Sequence, residues 1–458
     1  MKKFSILLFL LTFALGAIIA HGVVINPGQS IQSAINASSA GDVIYVNEGF
    51  YPENLVIDNK AIEIRGQGAS KPRVYNLTLK NVPTTVRISN LSVTETDTQI
   101  LSVENVGIAV LDGIKTKAGD LKVDSSNVRI SQSDLARDLD ANRSVVLLKD
   151  SNVTNDLNAH QSDLRLLRSR VTKDVNMHDS QNHLGAATQC VVLQSTIGEK
   201  LTTKAAQSFV CYNTIRYAYF EGKVDITGNT FDGRGLALVG IDLNGSSTSA
   251  SIHNNLIIGM GETHGGTLTE KIIGIRIDGG SKAEITNNVI WSLRDIKVQG
   301  TNVNCGMGIF VKVDTGTTIK GNIIYRCADA TTNKTGGNRL VHAPASVNLS
   351  YNCLYDGIPV SGGVTNVSGI NTNPDVTSSA SRDFTLQSNS PCINKGPEDA
   401  RYNDRDGTRN DIGMFGGHNF IPNGKTTDKP IVIGLDVAPV FVPAGGNITI
   451  ESTGATVK

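Results

Sequence analysis

The chain is poor in aromatic residues, in net charge and in paired cysteine motifs. Aromatic residues make up 5% of the 458 residues, with a single Trp, so flat platforms for stacking sugar rings are scarce. Lys plus Arg and Asp plus Glu both count 42, so the formal charge is zero and no basic field attracts nucleic acid. Six cysteines occur without a Cys-x-x-Cys spacing, which argues against a zinc or dithiol redox motif. Nucleic acid is therefore not among the expected partners.

The first 20 residues have the layout of a secretory signal peptide. Two lysines precede a long apolar run, and small residues follow at Ala17 and Ala20, so cleavage is predicted after Ala20. No later segment is long and apolar enough to span a bilayer. We expect a mature protein without a transmembrane segment that is secreted or held in the periplasm or at the surface of a bacterial cell.

A pattern of the form apolar-x-x-Ser/Asn-x-apolar recurs along the chain, with short steps of 16 to 18 residues. Repeats of this length indicate a solenoid, in which each unit buries its apolar face against the next unit. The Ser or Asn of the pattern is found at Ser133, Ser151, Ser169, Ser195, Asn213, Asn229, Asn255, Asn288, Asn322 and Asn352.

One repeat unit, residues 138–155 ("DLDANRSVVLLKDSNVTN"), shows what each coil contains. Apolar residues alternate with polar ones in three short runs, which is the period of a strand with one buried face, and turn residues separate the runs. Stacked coils of three strands predict an all-β, single-stranded right-handed parallel β-helix with successive strands about 4.8 Å apart. The predicted inward residues of this unit are Leu139, Ala141, Val146, Leu148 and Val153.

Both ends of the solenoid are predicted to be covered. "SIQSAINASSAGD" predicts an N-terminal helical cap with Ser30 as its N-cap residue. Residues 27–57, "PGQSIQSAINASSAGDVIYVNEGFYPENLVI", resemble the opening of right-handed β-helix proteins of the pectin-lyase-like superfamily. At the other end, alternating Val, Ile and Leu around a Pro-Ala-Gly-Gly turn predict a small C-terminal β-appendage.

Residues 389–417, the C-terminal motif, are similar to the closing segment of exported bacterial β-helix proteins of the choice-of-anchor type. The chain departs from that pattern in having Cys392 at a variable position and one residue between Arg409 and Asp411. The matching residues are Ser390, Pro391, Ile393, Gly396, Asp404, Asp406, Gly407, Arg409, Asp411, Ile412 and Gly413.

The predicted organisation has four parts. Residues 1–20 form the signal peptide, and residues 21–395 form the β-helix. Residues 396–428 form an Asp- and Gly-rich closing segment and linker, and residues 429–458 form the strand appendage.

Two histidines recur at the same position of neighbouring repeats. "DLNAHQSD" (156–163) and "DVNMHDSQ" (174–181) align His160 with His178 and Asn158 with Asn176, 18 positions apart. A structural ladder of polar turn residues is the favoured interpretation, and a catalytic base or a ligand or metal contact are the alternatives. The predicted columns are Asp120, Asp138, Asp156 and Asp174, and beside them Asp124, Asn142, His160 and His178.

A catalytic role for the histidines would be that of a polysaccharide lyase. His160 or His178 would remove the proton next to a sugar carboxylate, and cations such as Arg165 and Arg168 would stabilise the resulting charge. Asn158 and Asn176 would contribute binding contacts. No lyase motif is present, and a β-helix does not by itself specify a function.

The sequence therefore favours an exported, surface-associated protein that binds glycans or proteins or is a structural surface component. Its expected partner is a polysaccharide or a cell-surface component. The alternative is a polysaccharide lyase acting on a polymer that contains uronic acid. Whether the protein is an enzyme stays open at this point, with a non-catalytic role favoured, and no cofactor is required.

The stretch "DRDGTRND" carries a candidate metal site. Asp404, Asp406 and Asp411 around Gly407 are spaced like part of a calcium loop, so Ca²⁺ is the candidate ion. Phe415 stands where the bidentate Glu of such a loop would be, so we favour carboxylates that pair with arginines and cap tight turns.

The cysteines at 190, 211, 305 and 327 form two pairs separated by about one repeat length. A Cys190–Cys211 or Cys305–Cys327 disulfide between neighbouring coils and buried free thiols are both open, since disulfides are allowed in an exported chain.

Overall fold

A computed structural model describes residues 22–94, 101–182, 185–234, 237–260, 272–291, 293, 306–327 and 339–418, together with the backbone of 431–438 and 449–455. The predicted signal peptide, the linker at 419–428 and Cys305 lie outside the described residues, as do the inserted stretches 261–271 and most of 328–339.

Nearly all the described strands stack in parallel and in register, so the predicted all-β parallel β-helix is confirmed. Successive strands of one coil belong to three rows, A, B and C, and strands are numbered along the chain across all rows. Row A is a 15-stranded sheet. Its strands are β1 (Gly22–Ile25), β2 (Val43–Val46), β4 (Glu63–Gly66), β7 (Thr85–Ser89), β10 (Ile108–Asp112), β13 (Asn127–Ser131), β16 (Val145–Lys149), β19 (Asp163–Leu167), β22 (Gln189–Leu193), β24 (Gln207–Cys211), β26 (Lys223–Thr227), β29 (Ser249–His253), β32 (Lys282–Thr286), β35 (Thr318–Lys320) and β38 (Asn348–Ser350).

Rows B and C together form a 25-stranded sheet, in which row B holds the short strands. Row B comprises β5 (Arg73–Val74), β8 (Ser92–Val93), β11 (Lys115–Thr116), β14 (Asp134–Leu135), β17 (Asn152–Val153), β20 (Arg170–Val171), β27 (Thr230–Asp232), β30 (Leu256–Ile258), β33 (Val289–Trp291), β36 (Ile323–Tyr325) and β39 (Cys353–Tyr355). Row C comprises β3 (Asn54–Asp58), β6 (Asn76–Lys80), β9 (Leu101–Glu104), β12 (Leu121–Asp124), β15 (Leu139–Asn142), β18 (Leu157–His160), β21 (Val175–Met177), β28 (Val239–Leu243), β31 (Ile272–Ile277), β34 (Gly306–Val311), β37 (Val341–His342) and β40 (Val360–Ser361). Two longer strands, β23 (Thr196–Thr203) and β25 (Thr214–Phe220), span both rows.

The interior of the solenoid is built from columns of identical or similar apolar residues. Leu139 pairs with Leu157 and Leu157 pairs with Val175, each one rung above the last. All three side chains are fully buried. The alternation read from residues 138–155 therefore correctly identifies the inward face of each coil.

The repeated Ser or Asn forms a buried ladder at the corner between rows A and B. On each rung the backbone N–H donates to the side-chain oxygen of the next rung, as Ser151 N does to Ser169 Oγ (3.1 Å) and Asn255 N to Asn288 Oδ1 (2.9 Å). The residue before each ladder residue turns the corner in a left-handed conformation, as at Asp150 (φ 49°). The ladder satisfies backbone donors that a sharp corner would otherwise leave without partners.

The N-terminal cap is confirmed as a short helix, α1 (Ile31–Ala37), whose N-cap Ser30 accepts a hydrogen bond from Ser33 N. Ile31 and Ile35 are buried against the first coils. The sequence analysis missed β1, which precedes the helix and pairs with β2. In the appendage, β43 (Ile431–Ala438) and β44 (Thr449–Ala455) pair antiparallel, as expected.

The C-terminal motif packs along the corner between rows A and B of the last coils. Asn254 Nδ2 donates to Met414 O (2.9 Å), and Asn287 Nδ2 donates to Asp411 O (2.8 Å). Just before the motif, β41 (Val376–Ser378) and β42 (Asp383–Leu386) form an antiparallel pair that was not predicted. The outer face of row B is apolar under this cover, and the residues of this second cluster are Leu256, Ile258, Val289, Ile323, Cys353, Phe384, Cys392, Ile412 and Met414.

Among the described residues no helix is long and apolar enough to cross a bilayer.

Candidate functional site

The two predicted histidines lie directly above one another at the end of row C. Their rings stack with centroids 4.2 Å apart and planes 7° from parallel. Asn142 lies one rung below His160 as its strand partner, and Asp124 lies one rung below Asn142, so the predicted column is present. Burial, and next the adjacent His160 ring, lowers the pKa of His178 below its usual value. The stack therefore disfavours a proton on His178.

The neighbouring aspartate column caps backbone amides. Asp138 Oδ1 accepts from Asp156 N (3.1 Å), and Asp156 Oδ1 accepts from Asp174 N (2.9 Å). Each carboxylate thus accepts a hydrogen bond from the first amide of the next rung, which agrees with the favoured structural ladder.

The arginines proposed to act with the histidines lie elsewhere. Arg165 is on row A, paired with Leu147 and Val191, whereas the histidines are on row C. Arg168 lies at the corner after row A, where its guanidinium binds the Asp150 carboxylate at 2.8 Å and 3.0 Å. The combination of base and cation that a lyase would need at His160 and His178 is not assembled from these arginines.

Of the two predicted amides, Asn158 lines a groove of about 510 Å³ on row C, here called the row C groove, and Asn176 lies on the next rung. Asn158 Nδ2 donates to Asp140 Oδ1 (2.9 Å), and Asn176 Nδ2 donates to Asn158 Oδ1 (3.0 Å), so these amides bond up their own column. The groove is lined by Glu104, Lys122, Val123, Asp124, Asp140, Ala141, Asn142, Asn158 and His160.

The three aspartates of the candidate calcium stretch serve as caps within the C-terminal motif. The buried Asp404 carboxylate accepts from Asp411 N and Gly417 N, and Asp406 Oδ1 accepts from Thr408 N (2.9 Å). Asp411 Oδ1 accepts from Asn394 N (2.7 Å). Among the described residues no three His, Cys, Asp or Glu side chains come together as a metal site.

Cys190 and Cys211 are free thiols that face opposite sides of row A. Cys190 pairs with Ser208 and is buried in the interior, while Cys211 pairs with Leu193 and lies on the outer side. Cys211 lies three residues beyond Ser208, the partner of Cys190 on the adjacent rung, so the two thiols do not face each other. The structure therefore has free thiols here rather than the Cys190–Cys211 disulfide. Cys327 is buried and free, and its predicted partner Cys305 lies outside the described residues.

A second groove of about 510 Å³, which the sequence analysis missed, lies on the outer face of row A and is called the row A groove. Lys223, Ser249 and Lys282 stack on successive rungs, so the two lysines are two rungs, about 9.5 Å, apart. Neither lysine has an ion-pair partner in the described part of the chain. Among the residues that line the groove are Gln207, Phe209, Lys223, Asp225, Ser249, Ser251, Lys282, Glu284 and Thr318.

A carboxylate column runs beside the lysine column. Asp225 pairs with Ser251, and Ser251 pairs with Glu284, so acidic and hydroxyl side chains alternate along the groove. Phe209 pairs with Asp225 one rung earlier and is 38% exposed, which makes it an apolar surface at the end of this column. The groove thus offers a cationic stripe and an acidic stripe side by side.

The C-terminal motif closes one side of the row A groove with a cluster of titratable side chains. Tyr402 Oη donates to Glu284 Oε1 (3.2 Å), and Lys320 Nζ lies 5.3 Å from the centre of the Tyr402 ring. His253 Nδ1 is hydrogen-bonded to the Thr286 hydroxyl. Burial lowers the pKa of His253, against the opposing effect of nearby carboxylates, which favours the neutral imidazole. A cavity of about 140 Å³ lies between these side chains.

One sequence signal marks where the C-terminal motif docks. Early row B strands begin with a polar outward residue, such as Asn152 or Arg170, whereas the late ones are runs of three apolar residues. Loss of alternation indicates a strand buried on both faces. The pairing of Tyr402 with Glu284, 118 positions apart, carries no comparable signal.

Comparison with family models and with curated proteins gave no match for this chain.

Proposed function

We propose that the protein is exported and binds an acidic polysaccharide lengthwise in the row A groove. The observation that carries this proposal is the lysine column, in which Lys223 and Lys282 are two rungs apart and engage no carboxylate among the described residues. Polar groups without partners at an open groove are available to a ligand, and Lys–carboxylate contacts are charge-assisted.

The acidic column supports the same ligand class. Asp225, Ser251 and Glu284 supply acceptors and a donor for sugar hydroxyls, beside the lysines that would meet the sugar carboxylates. Phe209 adds an apolar surface for a sugar ring at the end of the column. The row C groove is a weaker candidate because its amides and carboxylates are already bonded to one another.

The family proposed for the chain is the pectin-lyase-like superfamily with a choice-of-anchor-type C-terminal motif. Residues 27–57 and the C-terminal motif support it by resemblance. Export is supported by the N-terminal 20 residues and is tested by sequencing the N-terminus of the protein recovered outside the cytoplasm, which should begin at His21.

Binding is tested by calorimetry and by affinity electrophoresis with pectate, alginate and chondroitin. Lys223→Ala and Lys282→Ala should each weaken binding by roughly 3- to 10-fold, the range of one partly exposed charge contact. Lys122→Ala, in the row C groove, is the matched control and should bind like the wild type. Affinity that is equal in all four proteins, or absent for every polymer, contradicts the proposal.

A polysaccharide lyase is the second candidate, and the His253 cluster is the observation that favours it. A neutral His253 beside the groove is a competent base, Lys320 would stabilise the carboxylate of the enolate, and the Tyr402 hydroxyl would donate a proton to the leaving oxygen. Growth of the ultraviolet absorbance of an unsaturated uronide, abolished in His253→Asn and retained in His160→Asn, would establish this activity. Binding without such growth leaves the protein as a binding module.

A further inference from the structure

Two buried cysteines that lie 39 positions apart in the sequence meet beneath the C-terminal motif. Cys353 opens β39 of row B, and Cys392 lies in the motif. Both side chains are 0% exposed and belong to the apolar cluster that joins the motif to row B. The Cys353 thiol donates to Thr372 O (3.3 Å), and the Cys392 thiol lies near enough in the same cluster to raise the pKa of Cys353.

The backbones that carry the two thiols are held in place. Cys353 N donates to Asn322 O (2.8 Å) as part of the row B ladder, and Cys392 O accepts from Ile412 N (3.0 Å). Cys392 N donates to Ser390 Oγ (3.2 Å). The positions of the two cysteines in the cluster are therefore fixed by how the motif docks.

We propose that Cys353 and Cys392 form a disulfide that fastens the C-terminal motif to the β-helix when the protein folds in an oxidising compartment. Each thiol loses its hydrogen as a proton, one S–S bond forms, and two electrons pass to an oxidised thiol–disulfide carrier, which becomes its dithiol. The bond fastens the motif that carries Tyr402 to the edge of the row A groove.

The timing of this bond follows from burial. The thiolate is the form that attacks a disulfide, and both the contact with Cys392 and burial raise the pKa of the Cys353 thiol. A folded, reduced protein therefore resists oxidation, so the bond must form while the motif is still undocked. The folded, oxidised protein should resist reductants because an external thiolate cannot reach the buried sulfurs.

The pair differs from the other described cysteines in this respect. Cys190 and Cys211 lie on adjacent rungs but face opposite sides of row A, so neither thiol lies beside the other. Cys190 also offers a matched control, since Ser208 occupies the same column on the following rung.

The test compares the full-length protein exported from its host with the same protein made in a reducing cytoplasm. Each sample is denatured, alkylated without reductant, digested and analysed by mass spectrometry. The exported protein should give a linked peptide pair containing Cys353 and Cys392, lighter by two hydrogen atoms than the separate peptides. Alkylation of both cysteines in the exported protein, or a bond from Cys353 to any other cysteine, overturns the proposal.

A stability measurement separates the bond from a mere contact. Unfolding the exported wild type in reductant should lower its thermal midpoint, and reductant should leave the midpoint of Cys392→Ser unchanged. Cys190→Ser should keep the full effect of the reductant. The exported wild type is denatured and refolded once with reductant and once without it. Equal thermal midpoints under the two conditions contradict the bond. The wild-type comparison remains decisive where Cys392→Ser fails to fold.

Discussion

Replacement of Asn288 tests whether the corner ladder holds the coils together. Its fully buried side chain makes five hydrogen bonds. Nδ2 donates to Ile252 O (2.8 Å), Thr286 O (3.1 Å) and Asn322 Oδ1 (2.9 Å), and Oδ1 accepts from Asn255 N and Asn255 Nδ2, each at 2.9 Å. A net value of about 1 kcal/mol per bond gives a loss of about 4–6 kcal/mol in the free energy of unfolding for Asn288→Ala.

The chain itself supplies the matched control, because earlier rungs use Ser at this position. Ser151 Oγ accepts from Ser133 N (3.0 Å) and donates to Lys149 O (2.7 Å), so a serine keeps one bond to the neighbouring rung and one within its own rung. Asn288→Ser should therefore lose about 2–3 kcal/mol, roughly half of the loss in Asn288→Ala.

Urea unfolding followed by circular dichroism gives both values, provided that the slope with urea stays constant, since a solenoid can unfold in parts. Equal losses for the serine and alanine variants would show that the inter-rung bonds contribute little. A loss below about 1 kcal/mol for Asn288→Ala would refute the reasoning altogether.

Three further predictions concern the polar columns and the C-terminal motif. Asp156→Ala leaves the Asp174 amide without its acceptor and should cost about 1–2 kcal/mol in urea unfolding, whereas Asp156→Asn keeps an acceptor oxygen and should cost less than half of that. Because the pKa of His178 in the folded protein lies below its unfolded value near 6.5, the unfolded chain binds the proton more tightly. The free energy of unfolding should therefore decrease as the pH falls through 6.5 and below, and His178→Asn should flatten the decline of the thermal midpoint between pH 7 and pH 5. Asp404→Ala leaves two buried amides unpaired and should lower the thermal midpoint. Added Ca²⁺ or a chelator should leave the wild-type midpoint unchanged, and a rise with Ca²⁺ would support the hypothesis of a calcium site.

The periodic part of the fold was predictable because its contacts are local in sequence. Each residue contacts the equivalent residue one coil later. A step of 18 residues therefore places Leu139 beside Leu157 and His160 beside His178, and no information about distant parts of the chain is needed. The Ser30 cap was predictable for the same reason, since the hydrogen bond that its hydroxyl accepts comes from Ser33, three residues further along the chain.

The titratable cluster at the edge of the row A groove was not predictable because it depends on docking. Tyr402 reaches Glu284 only when the C-terminal motif turns back along the corner of rows A and B. The same docking sets Cys392 against Cys353 rather than pairing cysteines one repeat apart. Spacing rules describe neighbours within the solenoid and say nothing about where a non-repeating tail returns to it.

The coils of equal size near the middle make the length of the rod adjustable. Removing residues 139–156 would join Asp138 to Leu157, and every inward column would still meet an apolar residue on the next rung. The rod would become shorter by about 4.8 Å while the groove near its other end kept its shape. Duplication or loss of such a unit in a gene would therefore change how far the row A groove lies from the N-terminal end without changing the residues that line the groove.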